Sequence, residues 1–204
     1  MRRPSVQPGQ LLVISNRLPF QAIRRKRRTE FVPSAGGLVT ALEPALRENG
    51  GVWVGWPGAV RGFSADRAAL PADRRILYRP VPLSNREVKL YYGEFANRTI
   101  WPLFHYFVGR TRIDGRTWPV YEHVNQRFAE TAAEGPEPGL VWVHDYHLLR
   151  VAHHLRRIRP TWPLAFFLHI PFPHADVLRV LPWARELLRG LLASDLVAFQ
   201  VPTY

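Results

Sequence analysis

The sequence predicts an α/β fold, in which a parallel, Rossmann-like sheet carries helices on both of its faces. Runs that are apolar throughout, such as "LLVIS" at 11–15, alternate with segments whose apolar residues recur at helical spacing. The chain has 204 residues and is 47% hydrophobic, which suffices for one domain with a sizeable core. We therefore expect one domain over residues 10–204, preceded by a flexible N-terminus at 1–9.

In the first half of the chain, glycine and proline are predicted to interrupt or end the helices and strands. In order, we expect strand 11–15, helix 38–49, strand 52–56, a strand near 76–82 and two short helices within 85–107 that are broken at Pro102. A polar loop that ends in "SAGG" at 34–37 precedes the first helix, and Pro44 is expected to kink that helix. Gly50 and Gly51 are a helix stop signal.

The second half repeats the alternation more regularly. We expect helix 118–133, strand 140–144, helix 147–158, strand 164–168, helix 176–191 with a break near Pro182, and strand 195–199. Strands that are apolar on both sides and joined by helices are typical of a parallel sheet covered on both faces.

Polar side chains stand where the apolar strands end. Asn16 and Arg17 follow the first strand, His144 and Asp145 follow "LVWV", and His169 follows "LAFFL". In open parallel sheets, ligands bind outside the carboxyl ends of the strands. A guanidinium there can hold a phosphate through two parallel charge-assisted hydrogen bonds. These residues are predicted to face a shared binding site; an ordinary surface arginine and core histidines are the structural alternatives.

Two further stretches suit a sugar phosphate. The glycines of "SAGGL" at 34–38 open a helix, where backbone N–H groups and the helix dipole attract anions, although two glycines before a helix are common. The stretch "YYGEFANRTIWPLFHY" at 91–106 contains six aromatic residues. Aromatic faces with hydroxyl and indole donors suit sugars, but most of these side chains are expected to belong to the core.

The charge balance favours a phosphorylated ligand. Lysine and arginine number 28 against 16 aspartates and glutamates, a formal net charge of +12 that attracts anions. The dense run at 24–28 has no interleaved aromatic residue, so we interpret it as a solvated loop. Attraction of an anionic substrate and a nucleic-acid patch are its alternatives. We expect a phosphorylated small molecule and no nucleic acid.

Other function classes are disfavoured. The sequence contains no cysteine, which excludes disulfides, thiolate metal sites and thiol catalysis and fits a reducing compartment. No apolar run approaches the roughly 20 residues of a membrane span, and "MRRPSVQPGQ" has no apolar secretory region. The histidines lack an H-E-x-x-H or comparable spacing. We expect a cytoplasmic protein with no membrane association, no metal and no cofactor.

Several of these stretches together resemble one known family. "ISNRLP", "SAGGLVTAL", "GVWVGWPG", "YYGEFANRTIWPLFHY", "VWVHDYHLL", "FFLHIPFP" and "DLVAFQ" occur in the order seen in the trehalose-6-phosphate synthases. The resemblance covers the chain from about residue 10 onward, and "HDYHLL" with "FFLHIPFP" is its most specific part. The glucosylglycerol-phosphate synthases share much of the pattern and stay open as an alternative.

The resemblance implies a two-domain GT-B glycosyltransferase with two Rossmann-like halves, of which this chain is the amino-terminal, acceptor-binding half. The reaction implied is transfer of glucose from a nucleotide-glucose, such as UDP-glucose, to glucose-6-phosphate with retention of configuration. Because the carboxy-terminal nucleotide-sugar domain is absent, the isolated chain is expected to be inactive. A non-catalytic sugar-phosphate-binding module is the alternative. A homo-oligomer, or pairing with a separate carboxy-terminal half, is the expected assembly.

The resemblance also assigns roles to residues. Those implied for glucose-6-phosphate are Arg17, Tyr92, Trp101 and Asp145. Those implied for the donor and its phosphates are Gly36, Gly37 and His169. Asp145 and His169 are implied at the reaction centre, where they would orient hydroxyl groups more than relay protons. Gly93 and Glu94 depart from the family pattern, which puts the acceptor preference in doubt.

Overall fold

The computed structural model describes residues 10–25, 28–34, 37–58, 70, 71, 73 and 75–202. Its strands are β1 (Leu11–Arg17), β2 (Phe20–Arg25), β3 (Arg28–Pro33), β4 (Gly51–Trp56), β5 (Ile76–Pro80), β6 (Leu140–His144), β7 (Leu164–Leu168) and β8 (Leu196–Phe199). Its helices are α1 (Gly37–Asn49), α2 (Asn85–Glu87), a π-helix (Val88–Ile100), α3 (Trp101–Phe104), α4 (Trp118–Ala132), α5 (Val151–Ile158), α6 (Ala175–Leu178) and α7 (Ala184–Leu191). Short 3₁₀ turns lie at Val108–Arg110 and Tyr146–Leu148.

Six strands form one sheet in the order β5-β4-β1-β6-β7-β8, and every neighbouring pair is parallel. The predicted parallel sheet is therefore confirmed. From the central strand β1 the chain moves outward to β4 and β5 and then returns to β6 on the other side. This reversal of strand order is a topological switch point, where an α/β sheet binds ligands beyond its carboxyl ends.

The central strands are buried on both faces, as their apolar composition requires. All six residues of β4 are buried, as are five of the seven residues of β1. Alternate side chains enter different cores: Leu12 and Ile14 pack into one cluster and Val13 packs into the other. The indole of Trp53 is buried and donates to the Ser15 hydroxyl at 2.7 Å, so its polar atom is satisfied.

The helices between the later strands follow the predictions closely, and the predicted break near Pro182 separates α6 from α7. The predicted helix 147–158 begins later, because the 3₁₀ turn at Tyr146–Leu148 precedes α5. Helical backbone after β6 thus begins with this 3₁₀ turn, only one residue after the end of the strand.

The sequence analysis missed an antiparallel hairpin. Strands β2 and β3 pair from Phe20↔Pro33 to Arg25↔Arg28, where a polar loop was expected. Phe20 and Ala22 are buried, and the Phe20 ring packs edge-on against Phe31 and against Tyr78 of β5. Alternating apolar and polar residues, the pattern that predicts a strand, occur only at the start of β2, because arginines occupy its end. The last pair of the hairpin is Arg25↔Arg28, and Lys26 and Arg27, from the middle of the Arg-rich run, lie outside the described residues.

The predicted break at Pro102 is displaced. Helical backbone runs without interruption from α2 through the π-helix to Phe104, and the Arg98 carbonyl, four residues before Pro102, accepts from the Arg112 N–H at 2.8 Å. The segment ends instead at Tyr106, whose φ of 64° lies in the left-handed region. At the other end, Ser84 and Glu87 form a reciprocal capping box that starts the segment.

Candidate functional site

The predicted site residues lie at the carboxyl edge of the sheet, where β1, β4, β6 and β7 end side by side. We call six of the residues there the strand-end cluster: Arg17, Trp56, Tyr92, Asp145, His147 and His169. Arg17 contacts Tyr92, which stacks on His147, and the backbone N–H of His169 donates to Asp145. The nearest polar atoms of His147 and Asp145 lie 3.9 Å apart. The predicted convergence of Arg17, Tyr92, Asp145 and His169 at one edge is therefore observed.

Arg17 ends β1 and is held against aromatic rings. The β1–β4 register is irregular between Ile14 and Arg17, and an irregularity of this kind redirects a side chain. The guanidinium carbon lies 4.6 Å from the ring centre of Trp56 and 5.4 Å from that of Tyr92. Stacking on rings restrains the planar guanidinium while leaving its N–H edge for an anion.

Tyr92 connects the arginine to the loop after β6. Its ring stacks on the His147 imidazole with 5.3 Å between centres and 10° between planes. Burial lowers the pKa of His147 to about 3, and the positive charge of Arg17 acts in the same direction. His147 is therefore neutral near pH 7. Its Nδ1 lies 3.9 Å from the Asp145 carboxylate, so this approach is not an ion pair.

Asp145 occupies a strained position directly after β6. Its φ is 76°, which is uncommon for a residue with a side chain and is found where structure around a site enforces it. Its carboxylate accepts from the backbone N–H groups of Tyr146 at 2.9 Å and His169 at 3.4 Å. Burial nevertheless raises the pKa of Asp145 to about 6, while those two hydrogen bonds and the charge of His105 act in the opposite direction.

The loop that carries Asp145 is fixed from beneath by α4. The Tyr121 hydroxyl donates to the Tyr146 carbonyl at 2.9 Å and accepts from the Leu149 N–H at 3.1 Å. The Asn125 amide donates to the His147 carbonyl at 3.1 Å. Because all of these groups are buried, the loop is held in one conformation before any ligand arrives.

His169 follows β7 and pairs with a second histidine. Its Nε2 lies 3.0 Å from Nδ1 of His144, the last residue of β6. Burial lowers the pKa of His169, and burial together with the neighbouring His169 lowers the pKa of His144 to about 3. Two neutral imidazoles thus share one hydrogen bond at the edge of the sheet.

The π-helix determines which aromatic residues share a face. Regular i→i+5 hydrogen bonding gives about 4.4 residues per turn, which would direct Tyr92 and Trp101, nine positions apart, to the same side, although Trp101 is already the first residue of α3. On an α-helix of about 3.6 residues per turn they would lie on opposite sides. Trp101 is 38% exposed and stacks on His105 with 4.1 Å between ring centres. The Tyr146 hydroxyl donates to Asn97 of the same helix at 2.8 Å, which ties the helix to the strand-end cluster.

The two predicted glycines are less closely tied to the cluster. Gly36 lies outside the described residues. Gly37 is the exposed first residue of α1, and a Cβ added there would meet no atom within 4 Å. The protein's own packing therefore does not require glycine at 37.

Sequence reasoning missed two residues that the fold brings to the site. Trp56 ends β4 beside Arg17, so the rule that selected the other strand ends would have selected it as well. His105 stacks on Trp101 and its charge reaches Asp145. Its role depends on the unexpected helix winding, which no sequence signal indicated.

Two searches bear on other function classes. Among the described residues, no three histidine or carboxylate side chains are grouped so that they could hold a metal ion. No helix in that part of the chain is both long and apolar enough to cross a bilayer.

Curated relatives carry one name. The trehalose-6-phosphate synthase of Mycolicibacterium vanbaalenii is 44% identical over 196 residues, covering 94% of this chain and 40% of the relative. The trehalose-6-phosphate synthase of Mycobacterium tuberculosis is 42% identical over 198 residues, covering 94% of this chain and 39% of the relative. The chain thus spans about 40% of the length of the curated relatives it matches.

Solved structures agree with these relatives. The α,α-trehalose-phosphate synthase (UDP-forming) from Burkholderia xenovorans, in complex with glucose-6-phosphate, is 34% identical with a TM-score of 0.80. That match covers 96% of this chain and 41% of the other. The E. coli structure bound with UDP-2-fluoro glucose is 32% identical, also with a TM-score of 0.80, and covers 96% and 40%. Because residues 9–204 match the family model as well, the chain belongs to glycosyltransferase family 20.

Proposed function

We propose that this chain forms the amino-terminal, acceptor-binding part of a trehalose-6-phosphate synthase. The complete enzyme would transfer glucose from UDP-glucose to glucose-6-phosphate with retention of configuration. One observation carries the proposal: Arg17, Tyr92, Asp145 and His169 lie along one chain of neighbouring side chains at the sheet's carboxyl edge. The relatives named trehalose-6-phosphate synthase, one of them solved with glucose-6-phosphate, support the choice of ligand.

Arg17 is the proposed phosphate ligand. Its guanidinium contacts the rings of Trp56 and Tyr92, which restrain it without neutralising its charge. Burial lowers the pKa of its neighbour His147, and the positive charge of Arg17 acts in the same direction. A phosphate dianion would gain charge-assisted hydrogen bonds and would relieve this uncompensated charge.

The π-helix favours a sugar over a smaller acceptor. The i→i+5 winding would direct Tyr92 and Trp101, the first residue of α3, to the same side, and the Trp101 ring is partly exposed. A pyranose ring has an apolar face that packs on such rings, whereas glycerol-3-phosphate has none. This observation favours glucose-6-phosphate over the acceptor of a glucosylglycerol-phosphate synthase.

Asp145 and His169 would meet the reacting end of the sugars. In the proposed reaction, the bond between C1 of the donor glucose and the diphosphate oxygen breaks. A bond forms from that carbon to the anomeric oxygen of glucose-6-phosphate, and the departing diphosphate takes up the hydroxyl proton. Asp145, with its pKa near 6, is mostly ionised at pH 7 and would accept hydrogen bonds that orient the acceptor. Gly36 and Gly37 would let backbone N–H groups approach phosphate oxygens.

The remaining part of the enzyme would complete the donor site, and it would also pack against the lateral edge of the sheet at β8. Leu192 and Leu196 are 77% and 61% exposed, and they flank the edge of the sheet formed by β8. Apolar surface beside an open strand edge is typical of a covered interface. We propose that further chain of the same family, rather than a second copy, covers it. The phosphorylated and nucleotide-linked substrates suit a cytoplasmic protein.

Isothermal titration with glucose-6-phosphate tests the acceptor site. We expect measurable affinity that falls at least about tenfold in Arg17→Ala, since hydrogen bonds to charged groups contribute about 1.5–3 kcal/mol. Arg47→Ala is the matched control, because Arg47 is exposed in the last turn of α1 and pairs with Glu43. Equal affinity in both variants would overturn the proposal, as would stronger binding of glycerol-3-phosphate.

A turnover assay tests the division of the active site. With UDP-glucose and glucose-6-phosphate, the 204-residue chain alone is expected to release no UDP above the uncatalysed rate. Robust product formation would contradict a donor site that requires further chain.

A further inference from the structure

The histidine pair at the ends of β6 and β7 has a feature that the proposed reaction does not explain. His144 is 1% exposed, and its Nδ1 lies 3.0 Å from Nε2 of His169. The His144 ring packs against Trp142 and Phe167, with ring centres 4.5 Å and 6.3 Å away. The other nitrogen of His144, Nε2, is buried and has no hydrogen-bond partner among the described residues.

Both rings are neutral near pH 7, because burial lowers both pKa values and brings that of His144 to about 3. A neutral imidazole carries one N–H and one bare nitrogen. The 3.0 Å contact therefore requires that one ring donates and the other accepts. Two arrangements satisfy this requirement.

The buried Nε2 of His144 distinguishes them. If His169 donates, then His144 must carry its proton on Nε2, which places an N–H against aromatic rings without an acceptor. If His144 donates from Nδ1, its Nε2 is bare, and an unpaired lone pair is left instead of an unpaired N–H. Buried N–H groups without partners are the rarer of the two in native proteins. The second arrangement is therefore favoured.

We infer that His144 is a positioning residue that fixes the tautomer of His169. His144 donates through Nδ1 to Nε2 of His169, and His169 consequently carries its own proton on Nδ1. The half-buried His169 ring then presents an N–H donor at Nδ1, suited to a sugar hydroxyl oxygen. Only the nature of that ligand rests on the proposed function; the tautomer does not.

Long-range ¹H–¹⁵N correlation spectra of the histidine-labelled chain at pH 7.5 test this directly, since they separate protonated from bare ring nitrogens. The chain has eight histidines, and His169→Gln identifies the signals of His169. We expect His169 to be protonated at Nδ1 and bare at Nε2. The opposite assignment in the wild-type chain would overturn the inference without any variant of His144.

A substitution of His144 adds a second test. His144→Phe removes the donor, and His169 is expected to shift from the Nδ1–H tautomer toward the Nε2–H tautomer that free imidazole side chains prefer. His147→Phe is the matched control, because His147 is also buried and neutral but neither hydrogen-bonds to nor stacks on His169. An unchanged His169 spectrum in folded His144→Phe would contradict a positioning role. Neither spectrum requires a ligand, so failure to bind glucose-6-phosphate would leave this result standing.

Discussion

Two arginines of this domain differ in how their charge is balanced. Arg150 is buried, and it donates to both carboxylate oxygens of Glu122, at 2.9 Å each, and to the Glu186 carbonyl at 2.6 Å. Arg17 lies against two aromatic rings, and within the described residues no carboxylate pairs with it. One guanidinium is satisfied by the protein itself, whereas the other is held in place with its hydrogen-bonding edge free of a counter-charge. Among the described residues, a charge without a carboxylate partner on a restrained side chain therefore distinguishes Arg17 as the candidate anion ligand.

The largest expected effect is on stability, at the satisfied arginine. Arg150→Ala leaves the half-buried Glu122 with only His154 beside it, at 3.1 Å, and removal of one member of a buried pair costs about 3–5 kcal/mol. Urea unfolding should show this loss, whereas Arg17→Ala should change the free energy of unfolding by less than about 1 kcal/mol. Equal destabilisation by the two substitutions would contradict the proposed difference between Arg150, whose charge is satisfied within the protein, and Arg17.

The second prediction tests whether Arg17 acts through the shape of its guanidinium or only through its charge. Arg17→Lys keeps the charge but loses the planar fork and its stacking on Trp56. We expect glucose-6-phosphate affinity to fall about tenfold with little change in melting temperature. Titration calorimetry and thermal unfolding of the same preparation measure both quantities. Wild-type affinity in the lysine variant would indicate that Arg17 supplies only a diffuse positive field.

A third prediction concerns pH, because the cluster around Arg17 holds neutral histidines. The pKa values of His144 and His147 are about 3 in the folded chain and about 6.5 in an unfolded one. The unfolded state takes up protons first, so stability falls as pH drops below about 6.5. Asp145 acts in the opposite direction: its raised pKa, about 6, favours the folded state as pH falls through that value.

The histidines outnumber the aspartate, so we expect urea midpoints to decrease from pH 7.5 to pH 4.5. Asp145→Asn removes the opposing contribution and should steepen that decrease. His147→Phe should make it shallower. Midpoints that rise on acidification would contradict the neutral, buried state of these histidines.

The smallest expected effect is at the partly exposed aromatic residue. Trp101→Ala removes the buried part of a side chain that is 38% exposed, so thermal unfolding must show that the variant is folded before its affinities are compared. Affinity for glucose-6-phosphate should fall several-fold, while affinity for inorganic phosphate, which depends on Arg17, should be unchanged. Trp101→Phe, which keeps an aromatic face, is the control. Parallel losses for both ligands would place Trp101 outside the sugar contact.

The site residues whose position in the fold the sequence predicted have one feature in common. Arg17, Asp145 and His169 each follow an uninterrupted apolar run, and such a run identifies the end of a buried strand without any knowledge of tertiary contacts. The parallel sheet then places those ends side by side. Local patterns were sufficient wherever the sheet itself determined the position.

The features that were missed depend on other information. The winding of the π-helix would direct Tyr92 and Trp101 to the same side, and no side-chain period in the sequence indicates i→i+5 hydrogen bonding. The resemblance supplied those two residues, but their spacing did not. The pairing of Arg150 with Glu122 joins α4 to the start of α5, so it depends on how those helices pack. The hairpin was obscured by the arginines near its tip.

A crystal structure of the chain with glucose-6-phosphate tests the central claim most directly. The account predicts the phosphate on the guanidinium of Arg17, the sugar ring beside Tyr92 and Trp101, and a hydroxyl group on Asp145. Glucose-6-phosphate bound elsewhere, with Arg17 still contacting only Trp56 and Tyr92, would contradict it.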